Sequence, residues 1–487
     1  MNKFEEGFWM ALHKNFVKNL AVVLSFFQFI GVFKINPTPL NNTADSSPIY
    51  NPAGTDKFYK KLPHVAQLSL DISPYYQSAN GSRNRNGNKV PLGDMYGRWN
   101  MLSTFFDIDK MTPKNFSQTN YPNLWTANNA LKNIEGIDYT DPANYHPDET
   151  TKITDAKTST IYDSVNIYHV NGKYEKLGLR GKLGFDTKIG LGLSIKGGVA
   201  DYKIRPKFVA LKPETVLTDA QTTIIPTLDP AKTFYEQLLQ ESARNNIFKE
   251  VGLDVTESRE TEMEDTHAQI YWCIPFHIKE EGETVATIAP YLAAGGWFAS
   301  GNKKDYTKAF NVSTGNNGHS GITAEGSLNF DFPGTVQLSL GGGLLWLEEE
   351  NFETYRFPSN VCQNGFFPWT TSVKVDPGIT WYANISFKAE NFMSVMPGWS
   401  FFFDFIYTYH EHDDYTINES SAQRDTRFTT GVEQMHELSS WKSQQVNFGV
   451  SYDVAKHLTL GLIIQAPING IKVYRCVTSM GTISVSF

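Results

Sequence analysis

The chain has 487 residues, 43 Lys and Arg against 51 Asp and Glu, and a net charge of −8, with no basic patch or arginine-rich run, which argues against a nucleic-acid partner. It is 14% aromatic with 37 glycines and a mean hydropathy of −0.35, a mildly polar balance that permits a barrel in which half the strand positions face water, without establishing one. Cys273, Cys362 and Cys476 cannot all pair within one chain, and none stands in a CxxC or at zinc-ligand spacing from a histidine, so neither a disulfide framework nor a metal cluster is indicated.

Lys14 and Lys18 precede the apolar run from Leu20 to Phe33, which is too short to span a bilayer as a helix but matches the core of an export signal. Residues 1–33 therefore read as a signal peptide. Glu5 and Glu6 are out of place in a positive amino-terminal region, leaving the start open between Met1 and Met10, and no A-x-A site marks cleavage. Residues 34–60 form a separate segment containing Ala44-Asp-Ser-Ser-Pro-Ile-Tyr-Asn-Pro-Ala-Gly54. There Pro52 biases Asn51 towards an extended backbone and small Ala53 and Gly54 permit close packing, so the segment suits either a plug against a wall or a simple turn.

From residue 61 onwards the pattern is one of strands. Leu68, Leu70 and Ile72 mark the first, while Tyr96 to Phe106 and Thr158 to His169 are ambiguous. Five hairpins follow. Leu177 to Phe185 returns through Ile189 to Ile195; Ala268 to Ile278 returns through Thr284 to Ser300; Ile322 to Phe330 returns through Val336 to Trp346; Ile379 to Phe387 returns through Trp399 to Tyr407; and Val446 to Tyr452 returns through Leu458 to Ile464. A last strand, Gly481-Thr-Ile-Ser-Val-Ser-Phe487, ends on an aromatic residue.

Each strand alternates apolar with small or polar residues, and short connections (186–188, 280–283, 331–334, 453–457) alternate with long polar ones (205–264, 301–320, 349–376, 411–440). A soluble sandwich has no reason to segregate its long loops in this way. The expected fold is all-β: a transmembrane antiparallel barrel of the outer-membrane type, with 12–14 strands over residues 61–487. Charged Arg180, Lys182, Lys196, Glu325, Lys388 and Asp404 must then line the lumen, because a Lys or Arg facing lipid at the midplane costs about 2–4 kcal/mol. Trp346, Tyr407, Tyr409 and Trp441 sit where aromatic rings anchor the headgroup level.

Three motifs have bland readings. Gly318-His-Ser-Gly321 lacks the final glycine of a nucleophile elbow, Gly341-Gly-Gly343 lies inside a strand without a following helix, and His410-Glu-His-Asp-Asp414 reads as a solvated acidic run at a strand end. No catalytic residue, cofactor or metal is expected, and the chain does not read as an enzyme.

The segment ending Asn51-Pro-Ala-Gly54 resembles the start of the FadL/TodX-type outer-membrane transporters of long-chain fatty acids and aromatic hydrocarbons. The resemblance implies that Asn51, Pro52, Ala53 and Gly54 belong to a hatch folded inside the barrel, and that the protein takes up hydrophobic small molecules passively across an outer membrane. It covers about a dozen residues, and no pocket residue carries over. Phe366, Phe367 and Trp369 in a long loop are a candidate capture surface, against loop self-packing as the alternative. Expected partners are outer-membrane lipid, a hydrophobic ligand, and the insertion machinery that would engage the strand ending at Phe487. A porin-like channel for polar solutes and a structural or adhesive surface barrel remain the competing readings.

Overall fold

Alternation only stabilises a barrel if every strand of the ring finds two neighbours, and here twelve strands do. The computed structural model describes residues 66–97, 99, 168–210, 241–333, 336–357, 367, 369–390, 396–418 and 427–487, all within the compact unit Asn36–Phe487. Twelve strands among these residues run antiparallel in chain order: β1 (Gln67–Ala79), β2 (Tyr168–Asp186), β3 (Leu191–Ala210), β4 (Thr266–Cys273), β5 (Glu283–Phe298), β6 (Gly321–Phe332), β7 (Val336–Leu347), β8 (Thr380–Ala389), β9 (Trp399–His410), β10 (Trp441–Ala455), β11 (Leu458–Ile471) and β12 (Val477–Ser486). The ring closes where β1 meets β12, with Leu70 opposite Val485 and Ile72 opposite Ile483. Within this ring of twelve no strand edge is left for hydrocarbon to meet, the condition for backbone to sit in lipid.

The two faces separate cleanly. On β2, Leu177, Leu179, Leu183 and Phe185 are exposed on the outside, while Lys176, Arg180 and Lys182 are buried inside. The same division gives an outer apolar belt of Leu68, Leu70 and Ile72 on β1, Leu191, Leu193 and Ile195 on β3, and Leu460, Leu462 and Ile464 on β11. Trp346 and Trp381 close the belt at the loop end of β7 and β8. Among the described residues no helix is long and apolar enough to cross a membrane.

The twelve strands fall within the expected 12–14: of the ambiguous stretches, Tyr168 and His169 open β2, whereas Tyr96 and Gly97 belong to no strand. The structure departs from the sequence expectation elsewhere. β2 and β3 begin and end well beyond Leu177 and Ile195, because their loop-side halves carry charge on the outer face and so lose the apolar alternation while keeping the ladder. A short strand, Ser258–Met263, continues this wall inside what reads as a long loop and pairs with β3. The last connection at the loop end, 472–476, is short. Finally Trp441 is not a headgroup anchor: it is buried and stacks on His410 with ring centroids 5.6 Å apart. The signal at 1–33, the segment 34–60 with Asn51, Pro52, Ala53 and Gly54, and Phe366 lie outside the described residues.

The turn between β2 and β3 depends on one glycine. Gly190 has φ +81°, donates its N–H to the Thr187 carbonyl at 3.1 Å, and lies so close to the neighbouring strand that a Cβ would stand 2.0 Å from the Cys273 carbonyl oxygen. Gly190→Val therefore combines left-handed strain in a β-branched residue with a backbone clash. It is expected to lower stability by more than about 1 kcal/mol, read as a lower urea midpoint for the folded barrel; an unchanged midpoint would disprove this account of the turn.

Candidate functional site: a capped, polar lumen

The interior holds a buried ion cluster. Glu264 accepts from Arg180 Nε at 2.6 Å, Arg180 Nη2 at 2.7 Å and the Tyr75 hydroxyl at 2.7 Å, and the Lys176 ammonium lies 2.9 Å away. The Arg180 guanidinium also sits 4.2 Å from the centre of the Tyr75 ring. Glu264 reaches Arg180 and Lys176 across β3, and the reach is possible because the intervening residue on β3 is Gly198. A Cβ there would lie 2.5 Å from the Glu264 carboxylate. Two cations on one carboxylate hold the wall of β1, β2 and β3 together, and deleting one partner of such a buried group typically costs about 3–5 kcal/mol.

Beside this cluster lies an apolar patch. Tyr75, Ala200, Phe402, Ile463 and Met480 project inward from five different strands and bury one another, each under 10% exposed. Hydrophobic burial among inward residues is the opposite of what a wide water-filled pore would select. Next to it runs a polar stripe. Asn384 donates to Ser386, Ser386 donates to Asp404 at 2.6 Å, and Asn447 Nδ2 donates to Asp404 at 3.2 Å. The side-chain acceptors of Gln445 and Asn447 and the Gln465 amide nitrogen are buried without a hydrogen-bond partner. Asn447 and Gln465 stand directly opposite in the register of β10 and β11.

Above the barrel the long loops fold into a cap. Strands Glu350–Phe357, Trp369–Asp376 and Asp414–Ile417 form an antiparallel sheet, and helix α2 (Arg427–Ser439) lays Val432, Met435 and Leu438 on it at three-residue spacing. Between them sits a core of Tyr306, Phe352, Tyr355, Phe357, Phe367, Val373, Val375, Tyr415 and Met435. Helix α1 (Glu241–Glu250) contributes to a second aromatic knot, where Trp99 stacks on Phe310 at 5.5 Å and meets Phe208 and Phe248 edge-on at 5.4 and 5.7 Å.

Arg356 staples this cap. Its buried guanidinium donates to the carbonyls of Tyr306 and Gly252, to Phe367 O at 3.3 Å and to Val251 O at 3.5 Å, joining three different loops. Burial lowers its pKa to about 10. Burial also lowers Lys304 to about 8, the Arg356 charge adding to the effect, and pushes the Tyr306, Tyr355 and Tyr415 hydroxyls well up. Asp413 is a second node: its carboxylate accepts from His410 Nε2 at 2.8 Å, Gly378 N at 3.0 Å and the Tyr415 hydroxyl at 3.1 Å.

The residues singled out in sequence fall as follows. Arg180, Lys182, Lys196, Glu325, Lys388 and Asp404 all occupy inward positions of their strands, with Glu325 accepting from Tyr382 at 2.5 Å and Lys388 pairing with Glu390 at 2.7 Å. Phe367 is 3% exposed in the cap core, and Trp369 opens a cap strand. His410 is engaged by Asp413 and Thr380, His412 stacks on His436, and no metal-holding group of three occurs among the described residues. His319 Nδ1 faces the Glu348 carbonyl at 2.8 Å. Glu264, Tyr75 and Lys176 were missed. Their signal was the every-second-residue spacing of Glu260, Glu262 and Glu264 inside an apparent loop, which is strand periodicity with a charged inner face.

No protein-family model matches the chain, and no curated protein sequence matches it. Among solved structures, an outer-membrane channel from Pseudomonas putida F1 shares 8% identity, covering 88% of this chain and 98% of that one, with a TM-score of 0.41. The translocator domain of the autotransporter NalP from Neisseria meningitidis shares 7%, covering 89% and 92%, with a TM-score of 0.33. A FadL homologue from Pseudomonas aeruginosa shares 10%, covering 93% and 99%, with a TM-score of 0.23. Superpositions this loose support no argument, so the class rests on the chain's own strand pairing: a closed twelve-stranded barrel of the outer-membrane type with a capped lumen.

Replacing Arg356 by Met keeps the bulk but strips the cap carbonyls of their donor, a loss of about 1–3 kcal/mol for each buried group left unpaired. Chymotryptic cleavage within 299–357 is expected to accelerate at least tenfold, with the barrel's own unfolding midpoint unmoved. Arg356→Lys should rescue little, since one ammonium cannot reproduce the planar fork.

Proposed function

We propose that the protein is an outer-membrane channel for passive uptake of small molecules, and that its cargo is hydrophobic. The observation that carries this reading is the buried apolar patch of Tyr75, Phe402, Ile463 and Met480, drawn together from four strands on the inner side of the wall. Such a patch offers a desolvated resting place between the aromatic cap and the far end of the barrel, with burial of apolar surface as the driving term. No bond is made or broken. The long-loop end would face outward, and the segment 34–60 with Asn51, Pro52, Ala53 and Gly54 would act as the hatch.

A second reading, a narrow channel for polar solutes, is favoured by the unpartnered side-chain oxygens of Gln445 and Asn447 and the unpartnered amide nitrogen of Gln465. Binding to the purified full-length protein separates the two. Phe402→Ser combined with Met480→Ser is expected to weaken saturable binding of the hydrophobic dye N-phenylnaphthylamine by more than tenfold, since a fully buried Phe or Met side chain is worth about 1.5–3 kcal/mol. Wild-type protein that ignores the dye yet swells sugar-loaded liposomes would establish the polar channel instead. Deleting residues 34–60 should raise conductance in planar bilayers; a large, steady conductance already present in the full chain and unchanged by the deletion would reject the hatch.

A further inference from the structure

The outer wall changes character abruptly on one side of the barrel. On β2 the outward residues run Leu183, Leu179, Leu177, then Glu175 and Lys173; on β3 they run Ile195, Val199, then Asp201, Lys203, Arg205 and Lys207; on the Ser258–Met263 strand Met263 gives way to Thr261 and Arg259. Register aligns the switch across all three strands, with Val199 opposite both Leu179 and Met263, and Lys203 opposite both Glu175 and Arg259. The charged band therefore begins one outward step beyond the apolar belt. At the loop end of the opposite wall the outward residues are Ile322, Trp346, Trp381 and Tyr409, which carry no charge.

We propose that this band on β2, β3 and the Ser258–Met263 strand docks phosphate-bearing head groups of net negative charge in outer-leaflet lipid. The inference rests on the membrane reading above and adds a specific lipid contact on one wall. Five cations, Lys173, Lys203, Arg205, Lys207 and Arg259, stand against three carboxylates, Glu175, Asp201 and Glu257. The pairs among them are surface pairs: Arg205 lies 3.4 Å from both Glu175 and Glu257 and stays about half exposed, and Arg259 is 63% exposed beside Asp201. Arg259 donates Nε and Nη2 to Asp201 at 3.3 and 3.1 Å, yet exposed pairs of this kind are weak, and phosphate oxygens can compete for them or take the remaining donors of the fork. Three features together favour lipid as the occupant: the surplus of positive charge, its level immediately beyond the belt, and its continuity with residues that must already touch acyl chains. A soluble anion would need no such alignment.

The test uses the full chain in phosphatidylcholine vesicles containing 20% phosphatidylglycerol. Lipid retained by the protein after detergent extraction is quantified by mass spectrometry. Wild type is expected to retain phosphatidylglycerol beyond its share in the vesicle, and high salt should reduce the enrichment because the charges are exposed. Arg205→Gln, Lys207→Gln and Arg259→Gln combined should lower the enrichment about fivefold or more, each cation near a head group being worth roughly that factor. Enrichment that survives both salt and the triple substitution overturns the docking face. So does binding of inorganic phosphate by a protein that retains the two lipids in their vesicle proportions, which would mark a free-anion site. Protein that fails to enter pure phosphatidylcholine vesicles overturns the membrane reading itself, a result distinct from insertion without lipid preference.

Discussion

The whole architecture depends on closing one ring of backbone hydrogen bonds. A strand edge in hydrocarbon would leave several unsatisfied N–H and C=O groups, each costing more than a surface contact can return, so β1 must find β12 before the belt can sit in lipid. Once closed, the ring divides every strand into two solvents. Leu177 and Leu179 on the outside and Lys176 and Arg180 on the inside are consequences of that division, and a one-residue slip would exchange them.

Closure also sets what the interior can contain. Twelve strands leave a lumen in which inward side chains meet each other, so charge has to be neutralised locally. Glu264 answers Arg180 and Lys176, and Asp404 is held by Ser386 and Asn447. The apolar patch around Phe402 and Met480 is tolerated in the same space because those residues bury one another. A polar lumen with a greasy waist under an aromatic lid is a different object from an open aqueous pore. The Arg356 staple and the two aromatic knots make the lid a small folded body of its own, built from loops that each contribute too little core to fold singly.

Long loops and charged walls are where reading the residues in order gave least. The alternation from Leu177 to Ile195 and from Val446 to Ile464 was visible because one face was apolar; the loop-side ends of β2 and β3 and the Ser258–Met263 strand were not, because both of their faces are polar. Trp441 looked like an interfacial ring and turned out to be a packing partner of His410, a distinction that depends on which face of β10 it occupies at its first residue. Glu264 was invisible as a partner of Arg180 because the two are 84 positions apart and meet only over the gap left by Gly198.

By itself the order of residues determined that strands alternate, that short and long connections take turns as far as the last hairpin, and that the charges at Arg180, Lys182, Glu325 and Asp404 belong on the inner face, since each of these follows from local periodicity and from the cost of charge in lipid. Only the tertiary structure decided the strand number, the partner of each buried charge, the waist of the lumen and the closure of the cap. Those depend on contacts between residues tens to hundreds of positions apart, and no local pattern carries the shear that brings them together.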